Sequence, residues 1–144
     1  MRLGFYSEIA RRDIAKARAF VTEHGYGATA NEIRQCRQHV MDLHKSPIFG
    51  TTINSLDFFS ISACRDLLFH VQEHVMLLTD VDTFLRENNL TFLGFEIDRD
   101  VLHAYKQRFP YDPAATNLGQ WQTFENENPD TFASMYQFWI QKAG

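Results

Sequence analysis

Hydrophobic positions follow two rhythms along this chain: stripes recurring every three to four residues, and short unbroken runs bounded by turn formers. Leu3-Gly4-Phe5-Tyr6 is a run of the second kind and reads as a buried strand, with Ser7 behind it as the N-cap of a helix from Glu8. In that helix Ile14, Ala17, Phe20 and Val21 oppose Arg11, Arg12, Lys16 and Arg18, until Gly25 and Gly27 end it. Thr29-Ala30-Asn31-Glu32 has the spacing of a capping box and opens a second helix with Ile33, Cys36, Val40 and Leu43 inward.

Lys45 to Leu56 has no periodicity and contains Pro47 and Gly50, so it reads as a long loop. Helical signal returns at Asp57-Phe58-Phe59 and from Ser62 to about Val75. Thr79-Asp80-Val81-Asp82 then caps a helix through Phe84 and Leu85 that Asn88 and Asn89 stop. Thr91 to Ile97 is the clearest strand, rich in β-branched and aromatic residues. Asp98 caps a helix to Phe109, and Leu118 to Phe124 is helical. Asn128-Pro129 reads as an N-cap and first-turn pair. Met135 to Gln141 admits either a helix or a strand, and its Tyr, Phe, Trp and Ile favour the strand.

With 144 residues, 44% of them hydrophobic, the chain can bury roughly 68–70% of its unfolded surface. The expectation is one domain over residues 1–144, with no linker or repeat inside it. No apolar run approaches a membrane span, and Met1 to Glu8 lacks the apolar core of a signal peptide, so a cytoplasmic protein is expected. Cys36 and Cys64 lack metal-type spacing, and reduced thiols suit that compartment. The net charge of −4 argues against a general nucleic-acid binder. It hides an asymmetry: up to Lys45 there are eight Lys/Arg against five Asp/Glu, a basic surplus that reads as a solvated helix face.

Taken together, LGFYSEIARRDIAKAR, DFFSISACRDLLFHVQEH, LTFLGFEID and NPDTFASMYQFWIQK resemble the C-terminal portion of bacterial class I S-adenosylmethionine-dependent methyltransferases of the tetratricopeptide-repeat-associated type. The resemblance covers nearly the whole chain and implies an α+β, helix-rich fold. Its small mixed sheet would have about three strands, ordered 5-7-6 with strand 7 antiparallel. Leu3 to Tyr6 would be strand 5, Thr91 to Ile97 strand 6, and Met135 to Gln141 strand 7. The same family holds its methyl donor at a glycine-rich turn after strand 1, where backbone N–H groups meet the ligand. No strand followed by such a turn occurs here, and Gly25-Tyr26-Gly27 follows a helix. The implied object is a truncated C-terminal half with no cofactor and no catalytic residue of its own.

Two sets of residues stand out as candidate chemistry. His70-Val71-Gln72-Glu73-His74 fits the H-x-x-E-H pattern of some zinc enzymes, but three fixed positions recur by chance and no third ligand is identifiable. No metal site is therefore expected, and His70, Glu73 and His74 are read as structural or substrate-facing. Tyr6, Ser7 and Glu8 would stand at the carboxyl end of strand 5, the rim where open α/β sheets bind ligands. They are candidate acceptor-facing residues, with a helix cap and a half-buried aromatic as the plainer reading. Trp121, Phe124, Phe132, Phe138 and Trp139 read as core.

Without strand 4, strand 5 would keep an unpaired edge, which marks Leu3 and Phe5 as interface candidates. The expectation is a non-catalytic interaction module that closes this edge as a homodimer, with no nucleic-acid or membrane partner. The alternative is the acceptor-side subunit of a split methyltransferase, completed by a donor-binding partner chain.

Overall fold

Strict alternation decides the C-terminal segment in favour of a strand: Tyr136, Phe138 and Ile140 are buried, while Trp139 and Gln141 face out. The structure is a computed structural model that describes residues 1–43, 60–69, 73–133 and 135–144. Among these there are six helices and four strands. In chain order they are β1 (Arg2–Ser7), α1 (Arg12–Glu23), α2 (Ala30–Asp42), α3 (Ile61–Leu68), β2 (Val75–Met76), α4 (Leu78–Glu87), β3 (Leu90–Phe95), α5 (Arg99–Arg108), α6 (Leu118–Glu127) and β4 (Met135–Lys142). The fold is α+β and helix-rich, and among the described residues no helix is long and apolar enough to cross a membrane.

The chain divides into two compact units. One comprises Met1–Arg11 and His74–Gly144 and contains the whole sheet, ordered β2-β1-β4-β3. β4 runs antiparallel to both β1 and β3, which is the 5-7-6 arrangement expected. The expected three strands become four, because Val75 and Met76 pair in parallel with Tyr6 and Ser7. A bulge between Phe92 and Gly94 sets Leu93 beside the ladder, and only glycine sits easily at the φ of +147° found at Gly94.

The core of this unit is aromatic. Tyr105 stacks on Trp121 with ring centroids 3.7 Å apart, and Phe95 meets Trp121, Phe132 and Phe138. The Trp121 indole N–H donates to the Ala115 carbonyl at 2.9 Å, which satisfies its one polar atom in the interior. Trp139, expected in the core, is instead 49% exposed, because it lies one residue out of phase with Tyr136, Phe138 and Ile140.

The other unit, Arg12–Glu73, has its own core. Ile14, Ala17 and Val21 from α1 pack with Ile33, Cys36 and Val40 from α2 and Cys64, Leu67 and Leu68 from α3. The Thr29 hydroxyl accepts the Glu32 N–H at 3.3 Å, the cap foreseen there. Burial pushes the Cys36 thiol up to about 11, with Cys64 adding to the effect, so it stays protonated at neutral pH.

Several boundaries differ from expectation. α1 begins at Arg12 and not at Glu8, since Ser7 ends β1 and its hydroxyl accepts the Ala10 N–H in an intervening turn. Helix is not maintained to Val75: α3 stops at Leu68, and Val75 is recruited by β1. Asn128 is a C-cap, not an N-cap. Its side-chain amide and its backbone N–H both donate to the Phe124 carbonyl, and Pro129 forbids continuation. Asp98 precedes α5 as foreseen, without a side-chain cap bond. The loop from Lys45 to Leu56 and the segment Asp57-Phe58-Phe59 lie outside the described residues.

Between α5 and α6 the Asp112 carboxylate accepts the Tyr105 hydroxyl at 2.7 Å and the N–H groups of Thr116 and Asn117. Burial raises its pKa, but these bonds together outweigh it and hold the group below its ordinary value of 3.8. A depressed carboxyl stabilises the fold above its unfolded pKa, and the gain disappears as pH falls through the lower native one. Asp112→Ala is expected to cost about 1–3 kcal/mol at neutral pH. Urea denaturation at neutral pH and again at about pH 3 checks it: the difference between wild type and variant narrows in acid.

Candidate functional site

Strand β1 ends at a residue with no solvent exposure that is nonetheless polar. Ser7 donates its hydroxyl to Oε1 of Glu125, and the Tyr136 hydroxyl donates to Oε2 of the same carboxylate at 2.7 Å. All three residues are buried. They come from three elements, β1, α6 and β4, so one carboxylate ties the first strand and the last strand to a helix. α6 places it there because Leu118, Trp121, Gln122 and Glu125 lie on one helical face, three to four residues apart. Gln122 on that face accepts the Leu78 N–H at 2.7 Å and so satisfies the start of α4.

Burial first, and then the neighbouring Glu125 carboxylate, push the Tyr136 phenol far above its ordinary value, which keeps it a donor. Ser7 spends its proton on Glu125 and its lone pair on Ala10. This network holds the carboxyl end of β1 in place, and its burial denies Ser7 and Glu125 direct contact with a solute.

The residues around it are the accessible ones. Tyr6 lies under the Arg11 guanidinium, 4.7 Å from ring centre to the cation, and Glu8 is exposed. The pairing of Tyr6 with Val75 brings exposed His74 level with Phe5, so Tyr6, Ser7, Glu8 and His74 do gather at one end of β1. Glu73 belongs to the helical unit, where it pairs with Arg18 at 3.0 Å. His70 lies outside the described residues. His74 is not helical and Val75 is in a strand, so the H-x-x-E-H segment does not run as one helix through Glu73 and His74.

Along the edge itself, Leu3 and Phe5 turn their side chains to the core of the sheet unit, Phe5 meeting Phe84 and Phe138. Met1 exchanges both of its backbone hydrogen bonds with Ile140. By antiparallel alternation Leu3 and Phe5 then face β4 with their backbone groups, while Arg2 and Gly4 direct theirs to the opposite edge. Among the described residues only β2 pairs there, with Tyr6 and Ser7. Over the paired strands β1 and β4 lies a hollow of about 300 Å³ lined by Arg2, Leu3, Gly4, Met135 and Gln137. Arg2 is held by Glu96 at 2.8 Å and by Gln137, so its charge does not reach over the edge unopposed.

Sequence reasoning found Ser7 but not Glu125, Gln122 or Tyr136. A signal existed, since Gln122 and Glu125 interrupt the apolar stripe of a helix that Leu118, Trp121 and Phe124 otherwise define. No family model matches the chain, and no curated protein matches it either.

Removing one hydroxyl from this network leaves a buried carboxylate short of a donor. Ser7→Ala and Tyr136→Phe are each expected to lower the unfolding free energy by about 1–3 kcal/mol. Because they share one acceptor, the double variant should depart from additivity by more than about 0.5 kcal/mol, measured as a double-mutant cycle in urea.

Proposed function

We propose that this chain is a non-catalytic interaction module that associates with a second copy of itself through the backbone edge of β1. The observation that carries this reading is the asymmetry of that strand. β4 pairs with it from Arg2 to Tyr6, whereas on the other side β2 reaches only Tyr6 and Ser7. Exposed strand edges are templates for further pairing, and proteins normally cover, charge or shorten them.

A twofold axis beside Leu3 would set Arg2 of one copy against Gly4 of the other. Both residues direct N–H and C=O outward, so the two edges would be complementary without shift. Gly4 faces Arg2 in this arrangement, which avoids opposing two arginines. The hollow lined by Met135 and Gln137 would take side chains of the added strand. The resemblance to the C-terminal half of a methyltransferase supports the same edge, because strand 4 would lie there in a complete sheet. On this reading the chain carries no methyl-donor site and transfers no methyl group alone.

The same edge would accept a strand from a donor-binding partner chain, as a split methyltransferase requires. Sedimentation velocity at micromolar concentration is expected to show a dimer, and Gly4→Pro to shift it to monomer. Proline there removes only an outward N–H and leaves the bonds of Leu3 and Phe5 to β4 in place. Far-UV circular dichroism should be unchanged by the substitution. A monomeric wild-type chain refutes self-association. Recurrent co-purification with one partner bearing a glycine-rich turn favours the split enzyme instead.

A further inference from the structure

The helical unit brings two histidines together that are 15 residues apart in sequence, counting from His24 to His39. α1 ends at Glu23, and Gly25, at a φ of +66°, reverses the chain so that the Tyr26 N–H returns to the Val21 carbonyl at 3.2 Å. This turn sets His24 and Tyr26 against His39 on α2. The two imidazole centroids are 5.1 Å apart with their planes at 88°. Phe20 closes one side, 4.0 Å from the His24 ring and 4.9 Å from that of His39. His24 is exposed and His39 half-buried, so solvent and solutes reach the pair.

The hydrogen bonds of the two rings are equally specific. Nδ1 of His24 lies 2.9 Å from the Phe20 carbonyl, an acceptor only, so this nitrogen carries the proton and Nε2 keeps a lone pair when the ring is neutral. Nδ1 of His39 lies 2.9 Å from the Tyr26 hydroxyl, whose oxygen can accept a hydrogen bond from the Nδ1–H once the hydroxyl hydrogen rotates away. Both rings are therefore anchored through Nδ1, the arrangement by which a carbonyl or hydroxyl orients a metal-ligating histidine.

From this geometry we infer that His24 and His39 form a binding site for a divalent transition-metal ion, for which zinc serves as the probe. Zn–N bonds of about 2.0–2.1 Å at a tetrahedral angle place the centroids of two imidazoles bound through Nε2 about 5.2 Å apart. The observed 5.1 Å matches that separation. Among the described residues no group of three His, Cys, Asp or Glu gathers, so the remaining ligands would have to come from solvent. The site is an open, two-ligand one. Neutral imidazole nitrogen also suits copper and nickel, whereas calcium and magnesium take oxygen ligands.

The test is calorimetric titration of the full chain with zinc chloride in chelator-free buffer, followed by thermal melts with and without zinc. One saturable site and a zinc-dependent rise in Tm are expected, since an ion bound only by the native state stabilises it. His24→Ala and His39→Ala should each weaken binding at least tenfold. Tyr26→Phe keeps both ligands but removes the anchor of His39, and should weaken binding by about 10- to 100-fold. His74→Ala should leave the affinity unchanged. His24→Gln, with an intact melt in the absence of metal, guards against a folding defect. Absence of saturable heat overturns the assignment, as does binding that survives both histidine substitutions or that is lost with His74→Ala.

Discussion

A single buried carboxylate sets the terms for the sheet unit. Glu125 has no solvent exposure, and an anion in that position costs several kcal/mol unless its oxygens are occupied by donors. Ser7 and Tyr136 provide one donor to each oxygen, and they are drawn from β1 and β4. The carboxylate thus fixes the end of β1 relative to β4 and α6 together. An apolar replacement of similar volume would fill the space but would leave the Ser7 and Tyr136 hydroxyl protons without their acceptor. The network gives the strand a defined end.

The same arrangement makes the unit depend on its two termini. β4, the last strand, lies between β1, the first, and β3, and the amino group of Met1 donates to the Ile140 carbonyl. The Ser7–Glu125 bond spans 118 positions. Contacts this distant in sequence are entropically expensive to close and form late in folding. The helical unit inserted between β1 and β2 has a core built from α1, α2 and α3, so its packing does not wait for β4.

This division also explains what could be read from the sequence. The elements recognised correctly are those in which local pattern and tertiary role agree: the capping box at Thr29, the alternating run of β4, the apolar run of β3. Asn128 was misread because a side-chain amide can serve either end of a helix, and the carbonyl of Phe124 settles which. Val75 was misread because helical periodicity gave way to pairing with a strand that lies far away in sequence. For the site, Ser7 was legible as a residue that should hold a strand–helix junction. Its acceptor was not, because nothing near Ser7 indicates a carboxylate on a helix near the other terminus. The histidine pair was illegible for a related reason, since the reversal at Gly25 determines which residue of α2 comes to face His24.

The C-terminal limit of β2 follows from what comes after it. Beyond Met76 the chain enters α4 almost at once, and the start of that helix is fixed by the Leu78 N–H on Gln122 and by the Leu77 N–H on the Asp80 carboxylate. Covering Gly4 and Arg2 would require the residues before Val75, because the two strands run in parallel and Tyr6 is level with Val75. Of these, Glu73 belongs to the helical unit. Its carboxylate is paired with Arg18, whose guanidinium also donates to the Leu67 carbonyl at 2.9 Å, and both side chains are largely buried. Among the described residues, then, the pairing of β2 with β1 is confined to Tyr6 and Ser7, and the start of α4 limits how far it can extend beyond Met76.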